Sequence, residues 1–116
     1  MKYLCLAYGA EKDWRALTTP EQEALLAQDE VLRPRGALMA AVEPAVATVR
    51  AWIGAPIVAS TPGAQSPVPL AGFWAIEAID LDEAIRLVAA TPCARAGGFI
   101  KIRPIAFIND ADRWRG

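Results

Sequence analysis

Two segments of this chain are apolar on both faces, and they constrain the fold more than anything else in it. In "KYLCLAY" (residues 2–8), Tyr3, Cys5 and Ala7 alternate with Leu4, Leu6 and Tyr8, and "GFWAIEAI" (72–79) has the same two-sided character. Successive side chains of a strand point to opposite faces, so such strands need cover on both sides. Helices can supply one cover. "TPEQ" (19–22) predicts a helix start with Thr19 as N-cap, Pro20 in the first helical position and Gln22 bonding back. Ala24, Leu25, Val31 and Leu32 form its apolar stripe, and Pro34 and Gly36 end it. Asp80 caps a second helix, with Glu83 completing a D-x-x-E box and Leu81, Ala84, Ile85 and Val88 as the buried stripe.

Residues 37–43, 45–53 and 99–105 read as further strands, with 55–60 as a short hairpin arm after Gly54. The order β-α-β-β-(arm)-β-α-β predicts an α+β fold on the ferredoxin-like, split βαβ plan, with both helices on one sheet face. The opposite face still needs an apolar layer. A second copy packed sheet to sheet supplies it, so the pattern predicts a homodimer. Composition agrees: 54% of the 116 residues are hydrophobic and only 22% charged, more apolar surface than so small a monomer comfortably buries. One domain is expected over residues 1–108, followed by a polar tail at 109–116.

The net charge of −1, with Lys and Arg interspersed among acids, leaves no basic stripe for a nucleic acid. Two distant cysteines, Cys5 and Cys93, make no disulfide framework and predict reduced thiols in a cytoplasmic protein. No signal peptide is expected. The run from Ala51 to Ile76 is uncharged, but Pro56, Pro62, Pro67 and Pro69 argue against a membrane span. That proline-rich stretch, over residues 60–70, reads instead as a structural cover lying on a cleft or on the partner subunit. The chain has no histidine, so neither a metal site nor a cofactor is expected.

Candidate ligand-binding residues are few. Tyr8 and Trp14 follow the first strand and, with Trp74, are placed to line an apolar pocket with a polar rim; core or dimer contacts are the plainer reading. Glu43 is a candidate carboxylate beside Glu11 and Asp13, against the simpler role of solvated charges. Arg103 and Lys101 share one face of the last strand, as an anion contact or as charges protecting a sheet edge. Cys93 is reactive only if a cation such as Arg95 lowers its pKa. No catalytic residue follows from these patterns.

"MKYLCLAYG", "TVRAW" and above all "LAGFWAIEAIDLDEAIRLVAATPCARAGGFIKIRPI" resemble the YciI-related proteins, in their DGPF branch. The resemblance implies a small dimeric α/β barrel of ferredoxin-like topology. It also exposes a departure. Ser60, Thr61, Pro62 and Gly63 fall where the branch carries Asp-Gly-Pro-Phe, and only Pro62 matches; Gln65, Pro67 and Val68 replace the charged residues that follow. Ser60 can hydrogen-bond there but cannot act as a base. Some family members are thought to use a His–Asp pair, which this histidine-free chain lacks; Gln22 and Glu23 stand near the place such a histidine would take. Two functions therefore fit. One is a non-catalytic homodimer that binds a small apolar or aromatic molecule or serves as a regulatory module. The other is a YciI-like lyase or hydrolase acting on a small aromatic substrate without a catalytic histidine. The missing histidine and loop aspartate favour the first.

Overall fold

The computed structural model describes residues 1–43, 45–60 and 68–108. Pro44, most of the predicted cover at 60–70 and the predicted tail at 109–116 lie outside them. The elements are β1 (Lys2–Tyr8), α1 (Glu11–Arg15), α2 (Thr19–Leu32), a 3₁₀ turn (Arg33–Arg35), β2 (Gly36–Ala41), β3 (Ala47–Arg50), β4 (Ile57–Ser60), β5 (Leu70–Glu77), α3 (Leu81–Val88), α4 (Pro92–Arg95) and β6 (Phe99–Pro104). Four strands form one antiparallel sheet in the order β2-β5-β1-β6. The two-sided segments thus become the two central strands, and Cys5 of β1 sits between Trp74 of β5 and Ile102 of β6.

One face of this sheet carries the core. Tyr3, Cys5, Ala7, Trp74 and Ile76 pack there with Leu32 of α2 and Ala84 and Val88 of α3. Ile76 is wholly buried, which stabilises the fold by about 1.5–3 kcal/mol. Burial also pushes the Cys5 thiol up to about 11. The other face carries Leu4, Leu6, Phe73 and Leu38 in register, with Leu38 still 49% exposed.

α2 is capped one residue before the predicted position, at Thr18. The Thr18 amide donates to Glu21 Oε1 at 2.8 Å and the Glu21 amide donates to Thr18 Oγ1 at 3.3 Å, a reciprocal capping box. Those bonds hold the Glu21 carboxyl below its usual pKa, the Thr18 backbone donor contributing most. Thr19 and Pro20 consequently lie inside the first turn, where a missing amide proton costs nothing. Only part of the predicted stripe is buried: Leu32 fully and Leu25 half, while Ala24 and Val31 face solvent. Polar Gln28 completes the contact line by donating to the Leu87 carbonyl at 2.7 Å.

In α3 the expected cap is present, with Asp80 Oδ1 accepting from the Glu83 amide at 2.9 Å. Glu83 Oε1 accepts in turn from the Ile79 amide at 3.0 Å and from Arg35 Nη1 at 2.8 Å, which holds its carboxyl low. Ala84 and Val88 are buried, but Leu81 and Ile85 remain exposed.

The largest departure lies between β2 and β5. The predicted strand 45–53 shrinks to β3 and pairs only with β4, as a separate two-stranded ribbon turned at Gly54. Gly54 has φ +104°, a conformation glycine adopts without steric penalty. The ribbon exposes Val49, Ile57 and Val58, and its tip exposes Trp52 and Ile53 almost completely. Among the described residues no helix is long and apolar enough to cross a membrane.

Candidate functional site

A cleft of about 500 Å³ opens where five elements end. Gly9, Ala10, Glu11 and Trp14 come from the exit of β1 and from α1, Ala41 and Val42 from the end of β2, Pro69 to Ala71 from the entry to β5, and Pro92, Cys93 and Ala96 from around α4. Short backbone bonds fix these ends together. The Gly9 amide donates to the Pro69 carbonyl at 2.9 Å, and the Val42 amide to the Ala71 carbonyl at 2.9 Å. Gln22 Nε2 donates to the Trp14 carbonyl at 2.9 Å and so ties α1 to α2.

Behind the cleft, buried Thr91 donates its hydroxyl to the Val88 carbonyl at 2.6 Å, and Pro92 opens α4. The chain then returns to β6 through Gly98, where any Cβ would collide with the Tyr8 carbonyl and crowd that of Cys93. A smaller cavity of about 260 Å³ adjoins, sharing Ala41, Ala71, Pro92 and Cys93 and reaching Met39 and Trp74.

The chemistry of these walls is almost entirely apolar. Glu11 is the one charged side chain among the described lining residues, and its Oε1 accepts from Arg15 Nη2 at 2.6 Å. Both partners are exposed, so this pair contributes at most about 1 kcal/mol to stability while keeping the carboxylate occupied. The Trp14 indole N–H has no acceptor among the described residues. No group of three or more His, Cys, Asp or Glu among the described residues is placed to hold a metal ion.

Of the sequence-predicted ligand residues, Trp14 lines the cleft and Trp74 the adjoining cavity. Tyr8 points to the opposite sheet face, stacked on Phe99 with ring centroids 4.9 Å apart and with Lys101 Nζ 5.3 Å from its ring. Arg103 shares that face, opposite Leu4 at the β6 edge. Glu43 is exposed beyond the end of β2 and lines neither cavity, and Ser60 ends β4 in the ribbon. The structure therefore brings together the two tryptophans and separates the other four. Val42, Pro69, Ala96 and Ala10 had no signal of their own, being small or apolar residues at element ends.

The fold and the cleft together define a small α+β domain with an antiparallel sheet on the ferredoxin-like plan, hollowed at one end. The family model for the YCII-related domain matches residues 1–109, and the chain belongs to that family. Among solved structures, 5-chloro-2-hydroxyhydroquinone dehydrochlorinase from Burkholderia phenoliruptrix AC1100, in complex with 2,5-dihydroxybenzoquinone, is similar with a TM-score of 0.55 and 18% identity, over 93% of this chain and 96% of that one. Among curated proteins, no sequence matches this chain.

Proposed function

We propose that this chain is a homodimeric binding protein of the DGPF branch, which holds a small apolar or aromatic molecule in the cleft beside Trp14 and does not transform it. The observation that carries the reading is the wall itself: apolar on nearly every side, with one carboxylate already engaged by Arg15. A general base must reach its proton at hydrogen-bond distance with a pKa near the working pH, and no histidine exists to serve. Two such sheets packed on their open faces would form the dimeric α/β barrel, covering Leu4, Leu6, Phe73 and Leu38. A cytoplasmic location suits the buried Cys5 thiol. Calorimetric titration with naphthalene-sized aromatics tests the reading. Saturable one-site binding that Ala96→Trp abolishes by filling the cleft supports it, and linear, unsaturable partitioning contradicts it.

One observation favours a second reading, a lyase or hydrolase for small aromatic substrates: the similar structure from Burkholderia is named as a dehydrochlorinase. In that case Glu11, at the cleft, is the residue to test. Turnover of a halogenated hydroquinone that Glu11→Gln abolishes would establish this reading over the first.

A further inference from the structure

We infer that the β3–β4 ribbon is an arm of the homodimer: a second copy of this chain covers its uncharged face and its tryptophan tip. The inference rests on the homodimer reading above and adds a surface that sheet-to-sheet packing does not include.

Three observations carry it. First, the ribbon is uncovered by its own chain. Every residue from Ala45 to Ala59 is exposed, with Val49, Ile57 and Val58 in the strands and Trp52 and Ile53 at the tip, 86% and 92% exposed. A two-stranded unit is marginal in water and needs packing to persist. Apolar side chains grouped in this way mark an interaction surface.

Second, the register makes the ribbon two-sided. Residues opposite each other on an antiparallel ladder share a face, so Val49 lies with Val58 and Ala47, while Arg50 lies with Ile57, Thr48 and Ala59. Arg50 is the one charged residue between positions 47 and 60. Its guanidinium stands over the Trp52 ring, 5.5 Å from the centroid, which keeps the cation on its own side and leaves the other ring face open. Interface cores are depleted in charge and enriched in aromatic residues. The Val49–Val58 face is therefore the one a partner covers.

Third, the open sheet face alone is too small for a stable pair. Four strands of 6 to 8 residues, about 4.8 Å apart with a rise of about 3.3 Å per residue, present roughly 400 Å² of flat area. A stable interface takes about 600–1,000 Å² from each partner. An exposed tryptophan alone brings about 150–250 Å². The Val face adds to that, so sheet and ribbon together reach what the sheet alone does not.

Val49→Lys and Thr48→Lys test the face. Both replace a β-branched residue by the same charge on one strand, but on opposite sides of the ribbon. In sedimentation equilibrium, Val49→Lys should weaken self-association about tenfold or more, because its charge is buried without a partner. Thr48→Lys should change it less than about twofold. Equal dimerisation of the two variants, with the unmodified protein dimeric, overturns the inference and leaves the homodimer reading intact. An unmodified protein that is monomeric at every loading overturns both. Co-sedimentation with phosphatidylcholine–phosphatidylserine vesicles that Val49→Lys abolishes, without a change in self-association, assigns the face to lipid and overturns the inference. Hydrogen exchange of the unmodified protein gives a second reading that no variant's stability affects. Amides of residues 47–59 should be protected where the dimer forms and should exchange freely on dilution to the monomer. Protection that is independent of concentration, or absent in the dimer, contradicts the proposed arm.

Discussion

The two faces of the sheet differ in what covers them, although both carry large apolar side chains. On the helix side, Tyr3, Cys5 and Ile76 are between 0 and 2% exposed beneath α2 and α3. On the open side, Leu38 and Phe99 remain 49% and 42% exposed. The β3–β4 ribbon repeats the pattern, presenting Val49, Val58 and Ile57 to solvent on a two-stranded unit that is marginal by itself. The helix-covered face is complete within one chain, whereas in the proposed homodimer the open face is half of an interface.

The largest expected effect lies on the covered face. Ile76→Ala removes a fully buried side chain and should cost about 2–5 kcal/mol, read as a lower denaturant midpoint at every protein concentration. Phe73→Asp probes the open face at the position opposite Leu6 and Ala40. It should prevent self-association and leave the folded monomer's spectrum intact, so a variant that still associates would erase the contrast between the faces.

A smaller effect is expected at the start of α3. Asp80→Ala removes the acceptor for the Glu83 amide and should cost about 1 kcal/mol, measured by chemical unfolding. The smallest is a pH effect. The folded-state pKa of Glu83 is lowered, first by the Ile79 amide and then by Arg35, so its stabilisation is present above the ordinary carboxylate range and is lost as pH falls through the folded value. Glu83→Gln should therefore flatten the acid limb of a plot of Tm against pH. An unchanged limb would show that the Ile79 and Arg35 contacts do not couple to folding.

Much of the fold was legible because it is written locally. The alternation in 2–8 matches β1 to the residue, and the Asp80 cap marks the start of α3. Boundaries failed where two neighbouring residues had equal chemistry: Thr18 and Thr19 can both cap, and the glutamate three residues on, Glu21, decides for Thr18. The predicted strand 45–53 overruns β3 at both ends because its flanking apolar residues carry no signal for where pairing stops; β3 ends at Arg50, before the turn around Gly54. The cleft was the least legible part. Its walls come from five element ends far apart in sequence, and most contribute backbone or small side chains. Period-two alternation does place Tyr8 with Leu4 and Leu6, on the face opposite Ala7 and away from the cleft wall, once β1 is known to run through residue 8.

Sedimentation equilibrium of the unmodified protein across the micromolar range decides whether a second copy completes the open face. The predicted result is a species of twice the 12.4 kDa chain mass that Phe73→Asp converts to the monomer. A mass of 12.4 kDa for the unmodified protein at every loading would contradict it.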